Sequence, residues 1–178
     1  MDNSKKTKRK ILLTQALPYA NAPLHLGHIL EAVQTDIWAR FHNLNNNECL
    51  FFCADDTHGT PVMLKANEMG VKPEELIADV YADHKSTYKL YDINFANFYS
   101  THSDENKKFS EYIYECAKNN NLISKSSIEQ YYDEEEKIFL SDRYIKGACP
   151  KCGAEDQHGD NCGVCGASYD VLDVKNPV

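Results

Sequence analysis

The chain has 178 residues, of which 42% are hydrophobic, so it is long enough to bury the core of one domain, or of one domain with a small insertion. Its net charge of −8 argues against general electrostatic binding of nucleic acid, because such binding needs Lys and Arg to neutralise phosphates. No apolar run approaches the roughly 20 residues that cross a bilayer, and the apolar stretch after the basic start is too short for a signal peptide. We therefore expect a cytoplasmic protein.

The first informative stretch is residues 11–28, ILLTQALPYANAPLHLGH. A short strand-like run leads into a loop with two prolines, and the loop delivers His25, Gly27 and His28 to the predicted start of a helix. Helix N-termini carry unpaired N–H groups and a partial positive charge, which favours a phosphate site. Gly27 leaves room for a flat base or a phosphate between the two histidines. The alternative is that both histidines are ordinary residues of a helix start.

A strand–helix–strand unit follows from hydrophobic patterning. Residues 26–42 carry apolar side chains at four-residue steps, which predicts a helix, and residues 49–54 predict a strand buried on both faces. This order implies a right-handed βαβ unit with a parallel sheet, in which ligands bind beyond the carboxyl ends of the strands. Residues 16–21 and 55–60 would lie there. The helical apolar positions are Ile29, Val33, Ile37 and Phe41.

Capping signals predict the next elements. Thr60 is expected to cap a helix that stops at Gly70, and a second helix opens at Pro73. Residues 94–100 predict a third strand, and Ser103 would cap the helix after it. The apolar positions on these helices are Leu76, Val80 and Leu90 in one and Phe109, Ile113, Cys116 and Ala117 in the other.

Short apolar segments separated by polar residues replace this pattern after Asn119, and they predict small antiparallel strands. The acidic run Asp133–Glu136 is expected at the solvated tip of a hairpin. We therefore divide the chain into a basic flexible N-terminus over 1–10, an α/β domain over 11–119 and a second part over 120–178.

Four cysteines form two CxxCG pairs separated by nine residues. Cys149 and Cys152 make one pair, and Cys162 and Cys165 make the other. Four thiolates satisfy tetrahedral zinc completely, which predicts one structural zinc ion per chain. An iron–sulfur cluster and paired disulfides are the alternatives. The remaining cysteines, which we expect to be small core residues without chemistry, are Cys49, Cys53 and Cys116.

Three blocks stand in order along the chain: ALPYANAPLHLGH at 16–28, CADDTHGTP at 53–61, and the cysteine pairs within 149–167. Together they resemble the N-terminal part of bacterial methionyl-tRNA synthetases, which are class I aminoacyl-tRNA synthetases with a HIGH-type motif. The resemblance implies the first half of a Rossmann-like catalytic domain and a connective insertion that carries a zinc knuckle. It also implies an ATP-dependent ligase, with magnesium accompanying ATP, that links methionine to its tRNA through methionyl adenylate.

The resemblance also implies roles for individual residues. His25 and His28 would be the catalytic residues, stabilising the ATP phosphates by electrostatics, while Asn21 and Gly27 would lie against the nucleotide. Asp56 would hold the ammonium group of methionine, with Asp55 a weaker candidate. The other methionine-binding residues would be Ala16, Leu17 and Tyr19, and His58 is either a residue at the edge of the site or a turn histidine.

The chain departs from the family in one respect. It has no counterpart of the KMSKS loop that completes ATP binding, so the resemblance predicts a truncated segment that also lacks the anticodon-binding domain and is inactive alone. Two other interpretations stay open. One is another class I synthetase or an HxGH nucleotidylyltransferase, and the other is a non-enzymatic zinc-binding interaction module.

Overall fold

A computed structural model describes residues 8–135 and 137–178. The chain forms two compact units, one that ends at Cys116, called here the N-terminal unit, and one over Ala117–Val178, called here the cysteine unit. A domain boundary near residue 120 stays a prediction.

The N-terminal unit is built on a parallel three-stranded sheet, as the patterning predicts. Its strands are β1 (Lys10–Thr14), β2 (Glu48–Asp55) and β3 (Asn97–Ser100), in the order β1-β2-β3. The register places Ile11 opposite Cys49 and Phe52 opposite Asn97. The carboxyl ends of all three strands therefore meet at one edge of the sheet.

Helices connect the strands. Helix α1 (Leu26–Leu44) joins β1 to β2, and α2 (Thr60–Met69) and α3 (Pro73–Leu90) join β2 to β3. Helix α4 (Asp104–Asn119) follows β3. No helix among the described residues is both long and apolar enough to cross a membrane.

Only one face of the sheet is packed in the described part of the chain. Residues of α1 and α3 share a core cluster with Phe51 and Cys53 on one face of β2, whereas Leu12 and Leu50 are exposed. The prediction that the second strand is buried on both faces is therefore wrong. Right-handed crossovers that always step in the same direction put every connecting helix on the same side of the sheet.

The predicted helix ends are confirmed at three positions, one of which is the start of α3 at Pro73, and corrected at one. Gly70 ends α2 in the left-handed conformation at φ 67°, and the Ser103 hydroxyl accepts the N–H of Asn106 at the start of α4. Thr60, however, is the first residue of α2 and not its cap. The cap is Gly59, whose φ of 110° favours glycine and turns the chain into the helix one residue earlier.

The apolar faces of the helices differ in part from the predicted positions. Ile29 and Val33 pack on the core, but Ile37 and Phe41 are exposed, because each four-residue step overshoots a full turn by about 40°. Leu90 is likewise exposed, and none of the residues of α4 is buried. The buried residues of α1 are Ile29, Ala32, Asp36 and Ala39, and those of α3 are Leu76, Ile77, Val80, His84 and Tyr88.

The cysteine unit contains small antiparallel strand pairs, as predicted. Strand β4 (Tyr132–Asp133) pairs with β5 (Ile138–Phe139), and β6 (Lys146–Gly147) pairs with β7 (Gln157–His158). A short 3-10 turn covers Val171–Asp173. The predicted acidic hairpin tip lies between β4 and β5, where Glu134 and Glu135 are exposed, and Glu136 lies outside the described residues.

Candidate functional site

The first two predicted motif blocks lie next to each other at the carboxyl ends of β1 and β2. Tyr19 forms an isolated parallel bridge with Asp56. The N–H of Ala20 donates to the Asp56 carbonyl at 2.8 Å, and the N–H of Asp56 donates to the Pro18 carbonyl at 2.9 Å. The loop after β1 is therefore held directly beside the residue that follows β2.

His25 and His28 form a reciprocal cap at the start of α1. His25 is the N-cap residue, and its Nδ1 accepts the N–H of Gly27 at 3.1 Å, while the N–H of His25 donates to Nδ1 of His28 at 3.4 Å. The two rings stack with their centroids 3.8 Å apart and their planes 18° apart. Since an accepting ring nitrogen carries no proton, each ring holds a proton on Nε2. Two Nε2–H donors thus lie side by side at a helix N-terminus.

The surroundings of His28 keep it uncharged at neutral pH. Its burial, followed by the nearby His25 and His84, lowers its pKa, and the opposing effect of Glu31 is smaller. His28 therefore acts as a hydrogen-bond donor of modest charge in the free protein.

Gly27 is required by the ring of His25. A Cβ on Gly27 would lie 2.9 Å from Cε1 and 3.0 Å from Nδ1 of that ring. Any side chain there would displace the ring from its cap. The close approach of adenine to Gly27 stays a prediction.

Tyr19 is fixed at the junction of the two loops. Its hydroxyl donates to the His58 carbonyl, and a Cβ on Gly59 would lie 2.6 Å from that hydroxyl oxygen. Burial and the neighbouring Asp56 raise the pKa of Tyr19, so it stays protonated. His58 thus borders the site through its backbone, while its exposed ring lies with Nε2 3.3 Å from Nδ1 of His102.

The remaining predicted residues of this loop are less enclosed. Ala16 and Leu17 are exposed, and Asn21 is half-buried. The N–H of Ala16 donates to Oε1 of Glu31 at 2.9 Å, which ties the start of the loop to α1. The structure therefore brings Tyr19, Asp56 and the two histidines to the carboxyl edge of the sheet, but it leaves Ala16 and Leu17 exposed to solvent.

The four predicted metal ligands converge in the cysteine unit. Their Sγ atoms all lie within 4.8 Å of one another, with Cys149 3.9 Å from Cys165 and Cys152 3.6 Å from Cys162. A tetrahedral ion with Zn–S bonds of about 2.3 Å needs sulfurs roughly 3.8 Å apart. A disulfide needs about 2.05 Å, and all four cysteines are free, so paired disulfides are excluded in this structure. The cluster could hold a single zinc ion.

Each cysteine pair is a backbone knuckle that prepares a thiolate. The N–H groups of Lys151 and Cys152 point to Sγ of Cys149 at 3.4 and 3.5 Å, and the N–H of Cys165 points to Sγ of Cys162 at 3.4 Å. Burial raises the pKa of Cys149, but these N–H groups and the neighbouring thiols outweigh it and lower the pKa to about 6. Gly153 and Gly166 close the turns at φ 75° and 69°.

The family follows from the match over almost the whole chain. Residues 11–178 match the family model described as tRNA synthetases class I (M). The chain belongs to the class I tRNA synthetases.

Two solved structures share the fold of this synthetase chain. One is Mycobacterium tuberculosis methionyl-tRNA synthetase in complex with methionyl-adenylate, with a TM-score of 0.69 and 21% identity over 84% of this chain and 30% of that one. The other is a ternary complex of the Agrobacterium radiobacter K84 agnB2 LeuRS with tRNA and LeuAMS, with a TM-score of 0.66 and 21% identity over 86% of this chain and 20% of that one. The chain thus spans 20% and 30% of the lengths of these two enzymes.

The synthetase chain also contains a buried polar pair that sequence reasoning missed. Nδ1 of His84 lies 2.8 Å from Oδ1 of Asp55, and its Nε2 lies 2.9 Å from the carbonyl oxygen of Ala22. Both side chains are 0% exposed. The signal was present in the sequence, because His84 interrupts the buried stripe of α3 four residues after Val80 and four before Tyr88.

Proposed function

We propose that this chain forms the part of a methionyl-tRNA synthetase that binds ATP and methionine and activates methionine as methionyl adenylate. The observation that carries the proposal is the side-by-side placement of two Nε2–H donors at the N-terminus of α1, after a loop in which Tyr19 pairs with Asp56, the residue that follows β2. The letter M in the description of the matching family model supports the choice of methionine.

In the activation step, a carboxylate oxygen of methionine forms a bond to the α-phosphorus of ATP, and the bond from that phosphorus to the bridging oxygen breaks, releasing pyrophosphate. No proton needs to move. Negative charge accumulates on the phosphate oxygens, and the Nε2–H groups of His25 and His28 stabilise it together with the positive end of α1. Magnesium, when bound with ATP, supplies further positive charge to the phosphates.

Asp56 provides the charge that binds the ammonium group of methionine. Its carboxylate is half-buried, and no basic side chain among the described residues forms an ion pair with it. A charge-assisted hydrogen bond there favours ligands with a free amine. Tyr19 supplies an aromatic edge for the thioether sulfur, and Ala16 and Leu17 supply apolar surface.

The later step transfers methionine from the adenylate to a hydroxyl of its tRNA and releases AMP. In this scheme the cysteine cluster is structural, because its four thiolates fill every position of a tetrahedral ion and leave none for a substrate. The chain covers 30% of the length of the methionyl enzyme with the same fold, so these steps belong to the protein at its natural full length.

The test is amino-acid-dependent ATP–pyrophosphate exchange by the protein at its natural full length. Methionine should support exchange, whereas leucine should not. Leucine is the competing substrate to test, because the LeuRS structure matches this chain at the same 21% identity. Exchange with leucine in place of methionine would contradict the proposed specificity and would leave the synthetase chemistry intact.

His28→Ala tests the role of the stacked pair in the same assay. Removing one preorganised donor should lower kcat by about 100- to 1,000-fold while the KM for methionine changes little, since the donor acts on charge that develops in the transition state. The matched control is His42→Ala, at the other end of α1, which should leave kcat unchanged. An unchanged kcat in His28→Ala would remove that residue from the mechanism.

A further inference from the structure

We propose that His84 is a positioning residue of the synthetase site, which as a doubly protonated imidazolium ties the loop before α1 to the end of β2. The contacts are its hydrogen bonds to the Ala22 carbonyl and to the Asp55 carboxylate. The expected effect on activity rests on the proposed function, whereas the geometry of the two hydrogen bonds does not.

The two partners require both ring protons. A backbone carbonyl oxygen only accepts hydrogen bonds, and an ionised carboxylate also only accepts. Nδ1 at 2.8 Å from Asp55 and Nε2 at 2.9 Å from Ala22 must therefore both donate, which makes the ring a cation.

Burial makes this charge necessary for the carboxylate. Asp55 and His84 are both 0% exposed, and Oδ2 of Asp55 has no hydrogen-bond partner among the described residues. A buried carboxylate beside a neutral ring would have lost its hydration without a compensating charge.

The two carboxylates near His84 favour its charged form, and the neighbouring His28 opposes it. Asp55 faces it from β2, Asp83 lies beside it on α3, and His28 faces it from α1. Burial by itself would lower the pKa of His84, but the hydrogen bonds to Asp55 and to the Ala22 carbonyl outweigh it and raise the pKa. The cation in turn contributes to the lowered pKa of His28, so it helps to keep His28 neutral.

The bridge lies close in sequence to both the histidine pair and Asp56. Ala22 comes three residues before His25, and Asp55 comes directly before Asp56. One rigid ring thus fixes the distance between the phosphate-binding histidines and the carboxylate proposed to bind the ammonium group. Misplacement of reacting groups by about 1 Å costs on the order of 100-fold in rate, so loss of this bridge should appear in kcat.

Two conservative variants separate the two bonds of the ring. In His84→Gln the amide nitrogen lies near the former Nε2 and can still donate to Ala22, whereas in His84→Asn it lies near the former Nδ1 and can donate only to Asp55. Since each variant cuts one end of the bridge, we expect both to lower the kcat of methionine-dependent exchange by about 100-fold with each KM within about threefold. Lys85→Gln, the next residue on the exposed side of α3, is the charge control and should behave as wild type.

The double variant Asp55→Asn with His84→Gln removes both charges, and its two amides can bond to each other while the Gln amide nitrogen donates to Ala22. Recovery of kcat in that double variant relative to His84→Asn supports the proposal. A wild-type kcat in either single variant would overturn it.

A nitrogen-15 NMR spectrum of the imidazole side chains in the wild-type protein tests the charge without any substrate. At pH 7 both ring nitrogens of His84 should carry protons, and finding only one proton would overturn the proposal. Because this measurement needs no activity, failure of methionine-dependent exchange alone would count against the proposed function and not against the bridge.

Discussion

The two units of the chain are stabilised in different ways. The N-terminal unit buries large apolar side chains against one face of its sheet, with Phe51 and Tyr88 each only 2% exposed. In the cysteine unit, the buried apolar residues among those described are Ile145, Val174 and two of the cysteines. A fold with so small a core needs another source of free energy, and four converging thiolates provide a site for it. The same chain thus combines a unit stabilised by hydrophobic burial with a unit whose four cysteines could hold a stabilising metal ion.

Removal of the metal should have the largest effect and should be confined to the cysteine unit. Binding of structural zinc by four cysteines contributes an apparent free energy of about 10–16 kcal/mol at pH 7, and most of it is folding free energy. We expect one zinc ion per chain by elemental analysis, and we expect Cys149→Ser with Cys162→Ser to abolish zinc binding and the ordered NMR signals of residues 137–178.

The control for that variant is Cys116→Ser, which lies outside the cluster and should keep the zinc. Finding iron, finding no metal, or finding an ordered cysteine unit after chelation would each contradict the comparison between the two units.

The next largest effect should come from the core of the N-terminal unit. Phe51→Ala removes a buried aromatic ring and should lower the free energy of unfolding of this unit by about 3–5 kcal/mol, measured by denaturant titration. Leu50→Ala is the matched control, because Leu50 precedes Phe51 in β2 but lies on the exposed face, and it should cost less than about 1 kcal/mol. Similar losses in the two variants would mean that both faces of the sheet are covered.

The smallest effect should be a dependence of unfolding free energy on pH that is specific to the N-terminal unit. The pKa of His84 is raised in the folded state, so its stabilising effect is fully present below the unfolded pKa near 6.5 and is lost as the pH rises through the folded pKa. The difference in unfolding free energy between wild type and His84→Gln should therefore shrink as the pH rises above about 6.5.

The stability of the cysteine unit should instead fall as the pH is lowered, since protons compete with the metal for thiolates and weaken metal binding at low pH. If the difference in unfolding free energy between wild type and His84→Gln grows as the pH rises, the assignment of charge to His84 is contradicted.

Local signals predicted most of the elements, because caps and metal knuckles depend on residues close in sequence. Gly70 and Ser103 mark helix ends where expected, and the two CxxCG pairs alone predicted the cysteine cluster. The adjacency of Tyr19 and Asp56 also followed from the rule that parallel strands share a carboxyl edge.

The features that were missed depend on packing between distant segments. Whether α1 buries Ile37 or Ala39 is decided by the drift of the helix face against the sheet, which four-residue spacing alone does not resolve. His84 meets Asp55 across 29 positions of sequence and Ala22 across 62. The resemblance favoured Asp56 as the important carboxylate, and it carried no information about the buried role of Asp55 beside it.

The matching knuckles have a consequence for how the cysteine unit captures its ion. In each knuckle the backbone carbonyl of the first cysteine accepts the N–H of the glycine after the second cysteine, as in the pairs Gly153–Cys149 and Gly166–Cys162. The backbone N–H of the first cysteine donates to the carbonyl of the alanine that follows this glycine. Each knuckle is therefore a preformed bidentate chelator, and a link of nine residues, 153–161, joins the two. An ion held by one knuckle meets the second at a high effective concentration, so affinity should collapse when either is lost and should not merely be halved.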